Sequence, residues 1–298
     1  MLPEFLLVGA AKAGSTTIHD VLDQHKDIYL PVSKELHFFD DDSAYAKGRQ
    51  WYESNFSKAR AGQVAGEATP AYMSYPATAQ RINETLGDDI KLIFSLREPV
   101  SRAYSEFLHN RRRGFLEGEF EDAIEREIDG NELSAWDRRK FSFINRGYYA
   151  RQISGFLKIF PRENMFFVIV EEDLRESSAA TFLKLQEFLG VTRQQLDFLR
   201  RSNQAYEPRS MQAQRLLHGE NQAQRWARAV IGSGKLRRKI RRILIGFNSA
   251  RRQPPELSQE VIARLQMRFY TAEIIALEKI LDRDLSVWRA MAGLHDRA

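Results

Sequence analysis

The chain has 298 residues, 43% apolar and 29% charged, with a formal net charge of +5 and no cysteine. That length allows a sizeable core in one large α/β domain or two small ones, and the missing cysteines exclude a disulfide framework, thiolate metal sites and a cysteine nucleophile. No apolar run approaches the ~18 residues of a membrane span, and no basic region with an apolar core and cleavage site opens the chain, so the expected location is cytoplasmic.

Phe5-Leu6-Leu7-Val8 predicts a short buried strand, and VGAAKAGSTT, residues 8–17, runs on from its end. Gly9 and Gly14 stand at the separation of the nucleoside-triphosphate loop G-x-x-x-x-G-K-[ST], yet Ser15 occupies the lysine slot and Lys12 precedes Gly14. A helix predicted from Thr16 to about His25 puts Ile18, Val21 and Leu22 on one face, with Ser15 or Thr16 as its N-cap. Strand, glycine turn and helix N-terminus together make an anion site, because the unpaired N–H groups of the first turn and the helix dipole both favour negative charge. Gly14 lets the backbone approach, Ser15, Thr16 and Thr17 offer hydroxyls, and Lys12 adds a point charge. On the loop alone, an ordinary turn with a surface lysine competes with this reading.

Gln63 to Gly66 is a short strand candidate, and Ile90 to Leu96 is a strong one. Arg97 falls just past the carboxyl end of the latter, where open α/β sheets bind ligands. Pro99 then opens a helix with Ala103, Tyr104, Phe107 and Leu108 on one side. Ser105 follows Arg97 by about two helical turns, so an arginine fork and a serine suit a second phosphate. Arg102 is the alternative ligand, or a solvated side chain. The acidic stretch from Glu117 to Asp129 either faces a cationic acceptor or is a solvated helix face. Trp136, Phe141 and Phe143 offer a sugar-stacking wall or core packing.

Met165 to Val170 is another fully buried strand type, and helices are predicted at Ser178–Leu189 and Ser258–Leu281. Strands alternating with helices predict an α/β fold, a mostly parallel central sheet flanked by helices on both faces. Between Glu207 and Arg252 twelve Lys and Arg stand against Glu207 and Glu220, so that segment carries +10 and the remainder −5. It is a solvated face or it meets an anionic partner. Leu236, Ile240, Ile243 and Leu244 make an apolar stripe among its arginines, so residues 235–245 could touch a membrane surface, pack on the core or lid a cleft. A single domain with a basic helical excursion near 207–255 is the simplest organisation.

KAGSTT after one strand and REPVSRAYS after a later one resemble the two nucleotide signatures of sulfotransferases that use 3′-phosphoadenosine 5′-phosphosulfate (PAPS). SKELHFFDD (33–41), GEATPAYM (66–73), the stretch 146–174 ending in VIVEEDL, and LEKILDRDLSVW (277–288) are similar, in the same order, to segments of the carbohydrate-type branch, which includes heparan sulfate enzymes and bacterial relatives. The resemblance implies a P-loop-like three-layer fold, PAPS as donor, its desulfo product PAP, and no metal. By position it assigns Lys12, Ala13, Gly14, Ser15, Thr16 and Thr17 to the 5′-phosphosulfate and Arg97 and Ser105 to the 3′-phosphate. It puts Glu35 at the catalytic base, with His37 as the competing base. Arg209, in RSNQAYEPRS (201–210), is the one candidate for the family's later nucleotide loop, which has no clear counterpart here. Ala68 stands where heparan-type enzymes often carry a lysine, which argues against a heparan-like acceptor.

The implied reaction is in-line sulfuryl transfer to a hydroxyl, or less readily an amine, of a carbohydrate or small-molecule acceptor. Lys12 would neutralise the leaving phosphate, and Glu35 would take the acceptor proton, given a proton affinity raised by burial among Leu36, Phe38 and Phe39. Two other readings compete. A P-loop ATPase or kinase would use the carboxylates of VIVEED (168–173) for Mg²⁺. A non-catalytic module would use the basic segment to bind anions or membrane; a nucleic-acid partner is not expected.

Overall fold

A computed structural model describes residues 1–130, 141–198, 207–208, 249–250 and 255–293. The chain forms two compact units, one of Met1–Arg102, Ile144–Ser202 and Gln259–Ala298, the other of Ala103–Phe143 and Asn203–Ser258. Strands β1 (Phe5–Gly9), β2 (Ile28–Tyr29), β3 (Val64–Ala68), β4 (Lys91–Leu96) and β5 (Met165–Ile169) belong to the first. Helices in chain order are α1 (Ser15–Leu22), α2 (Asp42–Tyr45), α3 (Gly48–Ser54), α4 (Thr78–Leu86), α5 (Pro99–Arg112), α6 (Phe120–Asp129), α7 (Tyr149–Leu157), α8 (Ser178–Leu189), α9 (Gln259–Phe269), α10 (Thr271–Leu281) and α11 (Ser286–Met291).

The five strands pair in parallel in the order β2-β3-β1-β4-β5. Every residue of β1 is buried, which explains its unbroken apolar run: a strand covered on both faces has no polar side to alternate with. Phe5 and Leu7 of β1 join Ile93 and Val168 against Ile18, Val21 and Leu22 of α1 and Phe182, Leu185 and Leu189 of α8. On the opposite face Phe94 packs edge-on to Phe156 of α7 with ring centroids 5.3 Å apart. The result is the three-layer arrangement of helix, sheet and helix.

In the second unit, the later part of α5 gathers an aromatic cluster: Phe107 lies 5.5 Å from Phe120 of α6 and 6.3 Å from Phe143, ring centre to ring centre. Phe143 is therefore core, while Phe141 is half-buried. The acidic residues of α6 are largely exposed, and Ala123 and Ile124 are its buried side. A short antiparallel pair, β6 (Glu207–Pro208) with β7 (Ser249–Ala250), completes the described part. The rest of the basic segment, the 235–245 stripe, Trp136 and Arg209 lie outside the described residues.

Several boundaries differ from expectation for local reasons. The helix after the first loop ends at Leu22, three residues before His25, whose ring is buried with its Nε2 2.8 Å from the Thr192 carbonyl. The strand expected at Gln63–Gly66 extends to Ala68. The long helix expected at Ser258–Leu281 is broken at Tyr270. That residue leaves helical geometry so that its fully buried ring can bond the Ile144 carbonyl through its hydroxyl at 2.8 Å.

Candidate active site

The sheet order sets the location. The chain leaves β1 through α1 toward β2 on one side, and leaves β4 toward β5 on the other. Such a switch between neighbouring strands opens a crevice beyond their carboxyl ends. The loop after β1 and Arg97 after β4 are thus neighbours there, because Gly9 pairs with Phe94.

The loop is tied to β4 at both ends. Ala10 N–H donates to the Ser95 carbonyl at 2.6 Å, and the Ser95 hydroxyl donates to the Ala13 carbonyl. Ser95 is buried, and only the strand register reveals its role. Gly14, and not Ser15 or Thr16, is the N-cap of α1: its φ of 80° is left-handed, and no side chain caps the helix. A Cβ there would lie 2.8 Å from Leu174 Cδ1, so the turn needs glycine both for its dihedral and for space. The first-turn N–H groups, which lack partners within the helix, stay available to an anion. Ser15 is buried at the first helical position, Thr17 is half-buried, and the Thr16 hydroxyl accepts a hydrogen bond from Lys34 Nζ at 2.8 Å.

A second loop, from Lys34 to Asp40, closes on the first. Lys12, Glu35 and His37 all have positive φ (68°, 61° and 52°); among the described residues Asp282 is the one other non-glycine residue that does. Each such residue costs roughly 1–3 kcal/mol, which persists where the surroundings over-determine it, and active sites are where such strain collects. The surroundings here are specific. Glu35 N–H donates to the Ala68 carbonyl at 3.2 Å, and Phe38 N–H donates to Tyr72 Oη at 3.0 Å. Phe38 stacks on Tyr52 with ring centroids 4.4 Å apart, and Phe39 meets Tyr72 at 5.3 Å. Two buried rings pin the loop, while the Glu35 and His37 side chains stay 45% and 46% exposed.

The electrostatics separate these two groups. His37 Nδ1 lies 2.9 Å from Asp40 Oδ2 and Nε2 lies 3.7 Å from Glu35 Oε2. Asp40 foremost, then Glu35, raises the imidazole to about 10, so His37 is cationic at neutral pH. Glu35 moves the other way. The facing His37 first, then the charges of Lys34 and Lys12, hold its carboxyl below the usual range. The burial that the sequence reading required to raise its proton affinity is outweighed by these cations. Asp40 and Lys34 are the participants that sequence reasoning passed over. The i,i+3 spacing of His37 and Asp40 was a visible signal; nothing local pointed from Lys34 to Thr16.

Arg97 is half-buried, and its Nε is buried without a hydrogen-bond partner among the described residues. Burial, and then the charge of Arg175, depress its proton affinity. A guanidinium N–H held out of water beside a second arginine fits an anionic ligand. Ser105 is half-buried on α5, beyond the boundary between the units. Arg102 is fully buried, not solvated, and its charge acts on the Tyr149 phenol. The carboxylates of VIVEED are also committed elsewhere. Glu171 is buried and accepts from the Trp288 indole at 3.0 Å, while Glu172 and Asp173 clamp Arg283. Asp173 also caps the Ile169 N–H at 2.5 Å. The three are not disposed as a Mg²⁺ site, and no group of His, Asp and Glu among the described residues could hold a metal. Nor is any described helix long and apolar enough to cross a membrane.

Comparison with known proteins adds an independent line. A family model described as "Sulfotransferase domain" matches residues 2–235. Heparan sulfate glucosamine 3-O-sulfotransferase 3B1 of Mus musculus is 31% identical over 192 residues, 64% of this chain and 47% of that protein. Heparan sulfate glucosamine 3-O-sulfotransferase 5 of Homo sapiens is 29% identical over 176 residues, 58% of this chain and 48% of that one. The chain thus spans about half the length of the curated relatives it matches. Among solved structures, a sulfotransferase from Alicyclobacillus acidocaldarius has the same fold, with a TM-score of 0.67 over 97% of this chain and 99% of that one at 24% identity.

Proposed function

Because the chain belongs to the sulfotransferase domain family, we propose that it transfers a sulfuryl group from PAPS to a hydroxyl of a carbohydrate or small-molecule acceptor. The observation that carries this reading is the meeting of two strained loops. Lys34 of the second bonds Thr16 of the first, and the Lys12 charge acts on the Glu35 carboxyl. A leaving-group cation and a base are what an in-line transfer must hold on opposite sides of the reacting group.

The first-turn N–H groups of α1, with Ala13, Gly14, Ser15, Thr16 and Thr17, are suited to the 5′-phosphosulfate. Arg97, whose Nε is buried without a hydrogen-bond partner among the described residues, is suited to the 3′-phosphate. When bound, PAPS supplies the sulfuryl group and the phosphate that departs from it. Lys12 places positive charge beside that phosphate. Glu35, ionised at neutral pH, is the group placed to take the proton from the acceptor hydroxyl as the new O–S bond forms. Its depressed proton affinity makes it a weaker base than a carboxyl raised by burial, so its contribution sits toward the low end of roughly 10²–10⁴-fold. His37 keeps its own proton, shared with Asp40, and so orients and steadies Glu35 instead of competing with it as base. Lys12, Arg97 and the helix N-terminus supply the positive charge that a metal supplies in phosphoryl transfer.

The relatives' names make a glycan hydroxyl the first acceptor class to test. Ala68, where heparan-type enzymes often carry lysine, is buried in the sheet core and presents no cation, which favours a less acidic acceptor. The test is mass spectrometry of an acceptor library incubated with PAPS, looking for a gain of one sulfuryl group, alongside calorimetry of PAP binding without Mg²⁺. Lys12→Ala and Glu35→Gln should each reduce transfer at least 10²-fold. Tight Mg²⁺-dependent ATP binding with no response to PAP overturns the proposal.

A further inference from the structure

Beneath the second loop lies a carboxylate that the mechanism above does not use. Glu67 of β3 is 2% exposed. Its Oε1 accepts from Tyr52 Oη at 2.8 Å and Tyr72 Oη at 2.7 Å, and its Oε2 accepts from Thr69 Oγ1 at 3.3 Å. Three hydroxyl donors aimed at one acidic side chain are the complement of its ionised form. Tyr72 does not stop there. The same hydroxyl that donates to Glu67 accepts the Phe38 N–H at 3.0 Å. Phe38 lies next to His37 and three residues after Glu35, and these two hold left-handed backbone. A hydroxyl that gives its proton to a carboxylate becomes a better acceptor, so the two bonds strengthen one another.

We propose that Glu67 is a positioning residue, whose carboxylate anchors Tyr72 and, through Tyr72, the Phe38 amide, so holding Glu35 and His37 in their strained, reactive geometry. The importance of that loop to catalysis rests on the function proposed above. The anchor is linked to pH. Burial lifts Glu67 to about 7, the charge of Asp40 acts in the same direction, and the bonds from Tyr72, Tyr52 and Thr69 oppose them. The groups facing it are Tyr52 from α3, Tyr72 from the turn at 72–74, Thr69 at the end of its own strand, and Asp40 through its charge from the loop; Leu6, its partner on β1, is uncharged. Acidification through about 7 therefore protonates Glu67 and loosens the Phe38 anchor, while Glu35, held low, stays ionised.

The test follows the Phe38 backbone amide by two-dimensional nitrogen–proton NMR of the full chain between pH 5 and 9. In the wild type the resonance should move with a midpoint near 7. Glu67→Gln should flatten that titration, and Tyr72→Phe, which removes one oxygen and leaves the ring, should flatten it while Glu67 is intact. Once an acceptor is known, the wild-type rate should fall on the acid side with the same midpoint, and the fall should vanish in Glu67→Gln. A Phe38 amide that does not titrate near 7 in the wild type, or that titrates unchanged in Tyr72→Phe, overturns the anchor, and neither result depends on the Gln variant folding. PAP binding to the same wild-type sample keeps the two proposals apart. Its absence overturns the proposed function and the catalytic role of the anchor with it, whereas intact binding with an unresponsive Phe38 overturns the anchor alone.

Discussion

At Glu35, His37 and Asp40 a short run of residues fixes opposite charges on neighbouring side chains by geometry. His37 lies between two carboxylates, 2.9 Å from Asp40 and 3.7 Å from Glu35, so its proton is held until about pH 10 instead of the ordinary 6.5. Because the folded chain binds this proton more tightly than the unfolded one, the stability it contributes is complete below about 6.5 and is lost as pH rises toward about 10. An imidazole titration followed by NMR should give a midpoint far above 6.5, and Asp40→Asn should bring it back toward that value. Glu35 runs in the opposite sense: its carboxyl is depressed, so its contribution is present above the ordinary carboxylate range and is lost on acidification. Lys12, Glu35 and His37 could be picked out from the motifs that contain them. Their ionisation could not, since it depends on Lys34 and Lys12 converging on one carboxyl.

The elements carry the site by their ends. β1, β4 and β5 were legible because strands buried on both faces are continuous apolar runs, and α8 was legible in full from Ser178 to Leu189. β2, two residues long, leaves no period to read. The N-terminus of α1 was misread as a hydroxyl cap because Ser and Thr lead that position statistically, whereas the chain there needs the left-handed turn of Gly14. Gly14→Ala should therefore disturb the turn proposed to hold the anion. The dihedral alone costs roughly 1–2 kcal/mol, and the new methyl meets Leu174. PAP affinity measured by calorimetry should drop by at least about tenfold, with a lower melting temperature. Leu185→Ala, in the core of α8, should instead cost about 2–5 kcal/mol of stability in chemical denaturation and leave PAP affinity nearly unchanged.

At the scale of the whole molecule, α11 is tied to the segment that follows β5. Trp288 of α11 is fully buried and donates its indole N–H to Glu171, while its carbonyl accepts from Gln266 Nε2, which also donates to Glu98, next to Arg97 in the chain. Trp288→Phe leaves the Glu171 carboxylate short of a donor, and denaturant titration should show a loss of about 1–3 kcal/mol from that term. None of these pairings is visible in the sequence, because each joins segments far apart along the chain. What the sequence by itself determined was local or patterned: the apolar runs of the parallel sheet, the glycine-bearing loop after β1, and the order of motifs that identifies the family. Tertiary structure alone decided which groups meet. Strand order put the first loop beside Arg97, Ser95 tied that loop down, and two buried rings turned Glu35 and His37 toward solvent with fixed and opposite charge. Residue identity is written along the chain, but proton affinity and strain are properties of neighbours, and folding chooses the neighbours.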